Sequence, residues 1–212
     1  MQSPGVFRFL IRCFCLSDTH HRFSARGWVY PQQVSQEKLD ENKQIAATKL
    51  SALASGLPSK FHPLINSLQA NLDQLYSASY HQTLSHGHFS ALNIIVSPQT
   101  GSIRIVDWED AGIRPFGMDS VGLEELVGYM GPEGWKYHDR RTELESEFWK
   151  VFWDVVDTEQ TGLQAKLHDR IKMARDLGIL FQYGFRGDTT DVVAEGDPNP
   201  NPLKYLSALL LS

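Results

Sequence analysis

His86-Gly87-His88-Phe89-Ser90-Ala91-Leu92-Asn93-Ile94-Ile95-Val96, followed after a short break by Ile103-Arg104-Ile105-Val106-Asp107-Trp108-Glu109, is the stretch on which the fold turns. The runs Ile94 to Ser97 and Ile103 to Val106 are rich in β-branched residues, which favour extended backbone. Between them, Pro98-Gln99-Thr100-Gly101 carries the Pro and Gly that suit a turn. The spacing predicts a small β-hairpin, entered from a histidine-rich segment and left through an acidic one. A shorter β-rich run, Thr83 to Ser85, stands just upstream.

On either side of the hairpin the period changes from two to 3.6 residues. Leu39, Ile45, Ala46, Leu50 and Leu53 recur at helical spacing over residues 35 to 57, with Ser35 as N-cap and Gly56 followed by Pro58 as a stop. Leu64, Ile65, Leu68, Leu72 and Leu75 predict a second amphipathic helix from Pro63 to Tyr76. Downstream, helices are expected at about 118–128, 142–158, 163–183 and 203–211. The alternating prolines of Asp197-Pro198-Asn199-Pro200-Asn201-Pro202 predict an extended connector. Gly128, Gly131 and Gly134, around Pro132, read as turn punctuation.

At 212 residues and 42% hydrophobic, the chain has the size and composition of one globular domain. It has 25 acidic against 20 basic residues, a formal charge of −5, and no dense basic run, which argues against a nucleic-acid partner. No apolar stretch reaches the roughly 18 residues of a membrane span, and Arg8 and Arg12 interrupt the apolar N-terminus. Neither a membrane partner nor a signal peptide is predicted, and a cytoplasmic location is expected. Cys13 and Cys15 are too close for an easy mutual disulfide, so free thiols in a reducing compartment are expected. A zinc site joining them to His20 and His21 is the weaker reading, because adjacent histidines point apart.

The segment His86-Gly87-His88-x-x-x-x-Asn93 and the run Ile105-Val106-Asp107-Trp108 together resemble the aminoglycoside phosphotransferase and choline-kinase-like (APH-like) family, fungal type. Its catalytic loop reads H-G-D-x-x-x-x-N and its metal-binding strand ends in I-V-D-W. Pro115-Phe116-Gly117-Met118, Leu123-Glu124-Glu125-Leu126, Gly128-Tyr129-Met130 and Phe181-Gln182-Tyr183-Gly184-Phe185 look like the same family's following segments. The resemblance covers about residues 25 to 210, leaving 1–24 as an unassigned N-terminal segment and 25–212 as the domain. It implies an α+β fold, mostly α: a protein-kinase-like C-terminal lobe whose small β-hairpin carries the catalytic-loop motif, with the N-lobe absent.

By that resemblance the activity is ATP-dependent phosphorylation of a small-molecule hydroxyl with Mg2+. Such enzymes mainly position reactants and neutralise phosphate charge. The resemblance makes Asn93 and Asp107 the residues that hold Mg2+ and, through it, ATP. It puts His88 in the catalytic-base position, gives His86 the task of fixing the loop, and makes Glu109 a further acidic neighbour of the metal.

Two departures bear on activity. The loop aspartate is replaced by His88, and loss of a general-base carboxylate costs about two to four orders of magnitude in rate. Only 85 residues precede His86, and residues 35 to 76 are already helical, leaving too little chain for a nucleotide-binding sheet lobe. Neither G-x-G-x-x-G nor G-x-x-x-x-G-K-[ST] occurs. The chain is thus expected to be a weak or inactive phosphotransferase acting on a hydroxyl acceptor. The alternative is a non-catalytic, pseudokinase-type module with a protein partner.

A third reading takes His86, His88 and Asp107 as zinc ligands of a metallohydrolase, because alternate residues of an extended segment point the same way. A serine hydrolase on Ser85 or Ser90 lacks G-x-S-x-G. Trp149 and Trp153, four apart, predict one face of a core helix, and His138 and His168 are expected to be solvated. Asp119, Glu124 and Glu125 suggest either an acidic cleft or, preferred, a solvated helix face.

Overall fold

The computed structural model describes residues 27–97, 99–100, 102–156, 161–187, 189–199 and 201–211. Cys13, Cys15, His20, His21, Pro98 and Gly101 lie outside them. Helix α1 (Gln36–Gly56) starts where the Ser35 side chain accepts the Lys38 N–H, satisfying a donor that the first turn leaves open. It buries Leu39, Ala46, Leu50 and Leu53, whereas Ile45, one position off that stripe, is half exposed. Helix α2 (His62–Leu75) buries Ile65, Leu68, Leu72 and Leu75 and packs against α1.

Four short strands follow: β1 (Gln82–Ser85), β2 (Ile94–Val96), β3 (Ile103–Ile105) and β4 (Gly112–Pro115). β2 and β3 form the predicted antiparallel hairpin, with Ile94 opposite Ile105. β1 pairs with β4, Leu84 opposite Ile113 and Ser85 opposite Gly112. One pair is therefore nested in sequence inside the other. That nesting makes the connector 86–93, between β1 and β2, run beside the connector 106–111, between β3 and β4.

Beyond β4 a 3-10 turn (Met118–Ser120) leads into α3 (Val121–Val127). Gly128, Gly131 and Gly134, expected to be turn punctuation, instead belong to a hairpin of β5 (Gly128–Gly131) and β6 (Gly134–Tyr137). The reversal uses Gly134 at φ +123°, a conformation that favours glycine. Helices α4 (Arg141–Val156), α5 (Thr161–Tyr183) and α6 (Asn201–Leu210) complete the domain. α6 begins inside the expected connector, because a proline in the first helical turn removes no needed donor and Pro202 sits there.

The main core joins Leu50 and Leu53 of α1 and Ile65 of α2 to Phe152 of α4, Ile171 and Leu177 of α5 and Leu206 of α6. Trp149 and Trp153 stack on the predicted face of α4 and pack against that core. The architecture is α+β and mostly helical, with small antiparallel sheets. Among the described residues no helix is long and apolar enough to cross a membrane.

Candidate functional site

The site grows from the two adjoining connectors. After Ser85 the chain turns through Gly87 at φ +88°, where a Cβ would run into the Asp110 carbonyl oxygen and lie 2.7 Å from Arg114 Nη1. His86 is completely buried, and its Nε2–H donates to the Val106 carbonyl at 2.8 Å. Its Nδ1 accepts the His88 N–H at 3.4 Å, so the ring is the neutral Nε2–H tautomer and each nitrogen is engaged. His86 therefore ties the first connector to the second. With both nitrogens occupied by backbone, it has no lone pair left for a metal, which removes one ligand from the zinc reading.

Asn93 closes the same connector. Its Nδ2 donates to the His88 carbonyl at 2.9 Å, and its own carbonyl accepts the Val106 N–H at 3.0 Å. The amide oxygen Oδ1 takes no hydrogen bond among the described residues. Asp107 follows Val106 directly, is exposed, and holds φ +67°, a left-handed conformation that Asp tolerates better than most residues. Asn93 and Asp107 thus stand on adjoining backbone segments. His88 is exposed at the loop surface. Glu109 is exposed in the turn closed by Ala111 N–H to Trp108 O, and no hydrogen bond or ion pair joins it to Asn93 or Asp107 among the described residues.

The residue that organises the loop is Asp119. Its Oδ1 accepts from Ser85 Oγ at 2.7 Å and Gly87 N–H at 3.2 Å, and its Oδ2 accepts from His86 N–H at 2.6 Å. From sequence it is expected on an acidic cleft or a solvated helix face; a lone acid just after Gly117-Met118 carries no pattern that reveals such a task. Beside it, Arg114 donates to the Asp110 carbonyl at 2.8 Å, pinning the turn after Asp107.

The acidic pair on α3 also departs from the solvated face. Glu124 is buried and meets Arg175 of α5 at 2.7 Å. Glu125 accepts from the Tyr183 hydroxyl and from Gln182 Nε2. Burial pushes the Glu125 carboxyl above its ordinary value, against the opposing pull of those hydrogen bonds and of His88. His168 is exposed as expected, but His138 is partly buried, which lowers its pKa.

Behind the loop lies a cavity of about 50 Å3 lined by Ser85, Phe89, Asp119, Leu123 and Trp149. Farther from the loop, a cavity of about 220 Å3 opens between α3, α4 and α5. Neither is lined by His88, Asn93 or Asp107. No family model matches the chain, and neither does any curated protein or solved structure.

Proposed function

We propose that the chain is an APH-like small-molecule phosphotransferase on a protein-kinase-like C-terminal lobe, weakened by its loop substitution and acting in the cytoplasm. One observation carries this reading. Two connectors bearing His88, Asn93 and Asp107 are locked side by side through His86 to Val106 and Asn93 to Val106, with Asp119 clamping the loop. Phosphoryl transfer needs such positioning more than it needs covalent chemistry.

Asn93 Oδ1 and the Asp107 carboxylate are hard oxygen donors, the type Mg2+ takes together with waters and phosphate oxygens. Mg2+ bound there would supply charge neutralisation on the phosphates of ATP. His88, exposed at the loop, would receive the acceptor hydroxyl's proton on a ring nitrogen. With His88 standing where the loop carboxylate would act as general base, the rate is expected about two to four orders of magnitude below that of an aspartate loop. Replacement of that aspartate favours a second reading, a non-catalytic module that binds a protein partner through the same face.

Thermal unfolding with and without Mg-ATP separates the two. The phosphotransferase reading expects a metal-dependent rise in Tm; saturation to 100 times Kd corresponds to about 2.7 kcal/mol. It also expects His88→Asp to raise phosphotransfer by about 10²- to 10⁴-fold. Absence of any Mg-ATP shift in both proteins leaves only the binding module.

A further inference from the structure

We propose that the 220 Å3 cavity between α3, α4 and α5 is a second ligand site, for a small organic anion with an apolar body. It does not depend on the loop chemistry. Ser120, Leu123 and Trp149 form the wall it shares with the smaller cavity behind the loop.

The hydrogen-bond inventory of the wall selects the ligand. Arg141 of α4 spends its Nε on Glu145 at 2.7 Å, while its Nη2 stays 3.8 Å from Glu124. One face of its guanidinium lies on the Tyr137 ring, and among the described residues its Nη hydrogens make no hydrogen bond, which leaves them open to a ligand in the guanidinium plane. Lys172 of α5 uses one hydrogen on Asp176 at 3.0 Å and is more than half exposed. Arg175 binds Glu124 and Asp176 and still keeps one hydrogen on each Nη nitrogen.

The acceptors are mostly consumed. Glu124 is held by Arg175 at 2.7 Å and by the Tyr137 hydroxyl at 3.4 Å. Glu145 has given one oxygen to Arg141. The lining sets Arg141, Lys172 and Arg175 against Glu124 and Glu145, and Asp176, the partner of Lys172 and Arg175 outside the lining, makes the formal charges even, so the wall is distinguished by its surplus of N–H donors. A carboxylate or phosphate offers only acceptors and meets that surplus with charge-assisted hydrogen bonds. Leu123, Ile171 and Trp149 supply the apolar surface for the rest of the molecule.

Calorimetric titration of the full chain with phenyl phosphate, phenylacetate and benzyl alcohol tests the proposal. Saturable binding of at least one anion and none of the alcohol is expected, and the tighter anion tells a phosphate site from a carboxylate site. Lys172→Met and Arg141→Met should each weaken it about tenfold, the weight of one charge-assisted hydrogen bond. Both side chains reach solvent and neither is the close partner of Glu124, so the variants keep the fold, checked by their unfolding temperatures. Asn93→Ala should bind as the unaltered chain does. The proposal fails if neither anion binds in the millimolar range, if both substitutions leave affinity unchanged, or if Asn93→Ala abolishes binding.

Discussion

Asp119 gathers three donors from consecutive residues, the Ser85 hydroxyl and the N–H groups of His86 and Gly87. A β-strand ending at Ser85 would otherwise leave those groups unpaired at the start of a loop, and an unpaired donor away from water costs more than a made bond contributes. Asp119→Ala should therefore lower unfolding free energy by on the order of 2–3 kcal/mol. Asp119→Asn, which keeps one acceptor oxygen, should lose less. Urea denaturation at unchanged slope would measure both; an alanine variant as stable as the original chain would show that the clamp does not hold the loop.

At the scale of elements, α3 sets the loop against the helical body. Gly122 faces Phe89, and a Cβ there would strike the Phe89 ring and stand 2.7 Å from its carbonyl oxygen. Helix propensity alone favours Gly122→Ala by about 1 kcal/mol. Overpacking against backbone costs about 1–3 kcal/mol, so the net effect should be destabilising and should also displace the loop. Calorimetric melting together with the Mg-ATP shift would register both effects, and a stabilised variant with an undisturbed shift would refute this packing. The elements legible in the sequence are those whose pattern is local. α1, α2, α4 and α5 show a 3.6 period, and β2 and β3 show β-branched runs about a turn. The strands β4, β5 and β6 read Gly-Ile-Arg-Pro, Gly-Tyr-Met-Gly and Gly-Trp-Lys-Tyr, where glycine and proline mask the extended state that pairing imposes. The loop's His86, His88 and Asn93 stand out in the sequence only through the resemblance of their segment to a known motif. Asp119 and buried Glu124 do not, because their partners arise from tertiary contact, Arg175 lying 51 positions beyond Glu124.

For the molecule as a whole, Glu125 makes stability depend on pH in an unusual direction. It sits where three elements meet the loop. Tyr183 and Gln182 of α5 donate to it, the Tyr205 hydroxyl of α6 has its pKa raised by burial and secondarily by the Glu125 charge, and His88 acts on it from the loop. Burial raises its folded pKa above the ordinary carboxylate value of 4.5. Above that unfolded value the folded state binds the extra proton, so this contribution is complete below it and disappears as pH rises through the folded pKa. The slope is at most about 1.4 kcal/mol per pH unit. Glu143 and Asp197, whose pKa values are lowered by Arg140 and by Ala194 N–H with Arg186 respectively, act in the opposite sense on the acid side. The informative quantity is therefore the difference between the chain and its Glu125→Gln variant, in which an amide oxygen can still accept from Tyr183. The variant should gain in Tm relative to the original as pH rises from 4.5 toward neutrality and be the more stable of the two at pH 7. Parallel curves across that range would mean that Glu125 is no more costly to ionise in the folded chain than in the unfolded one.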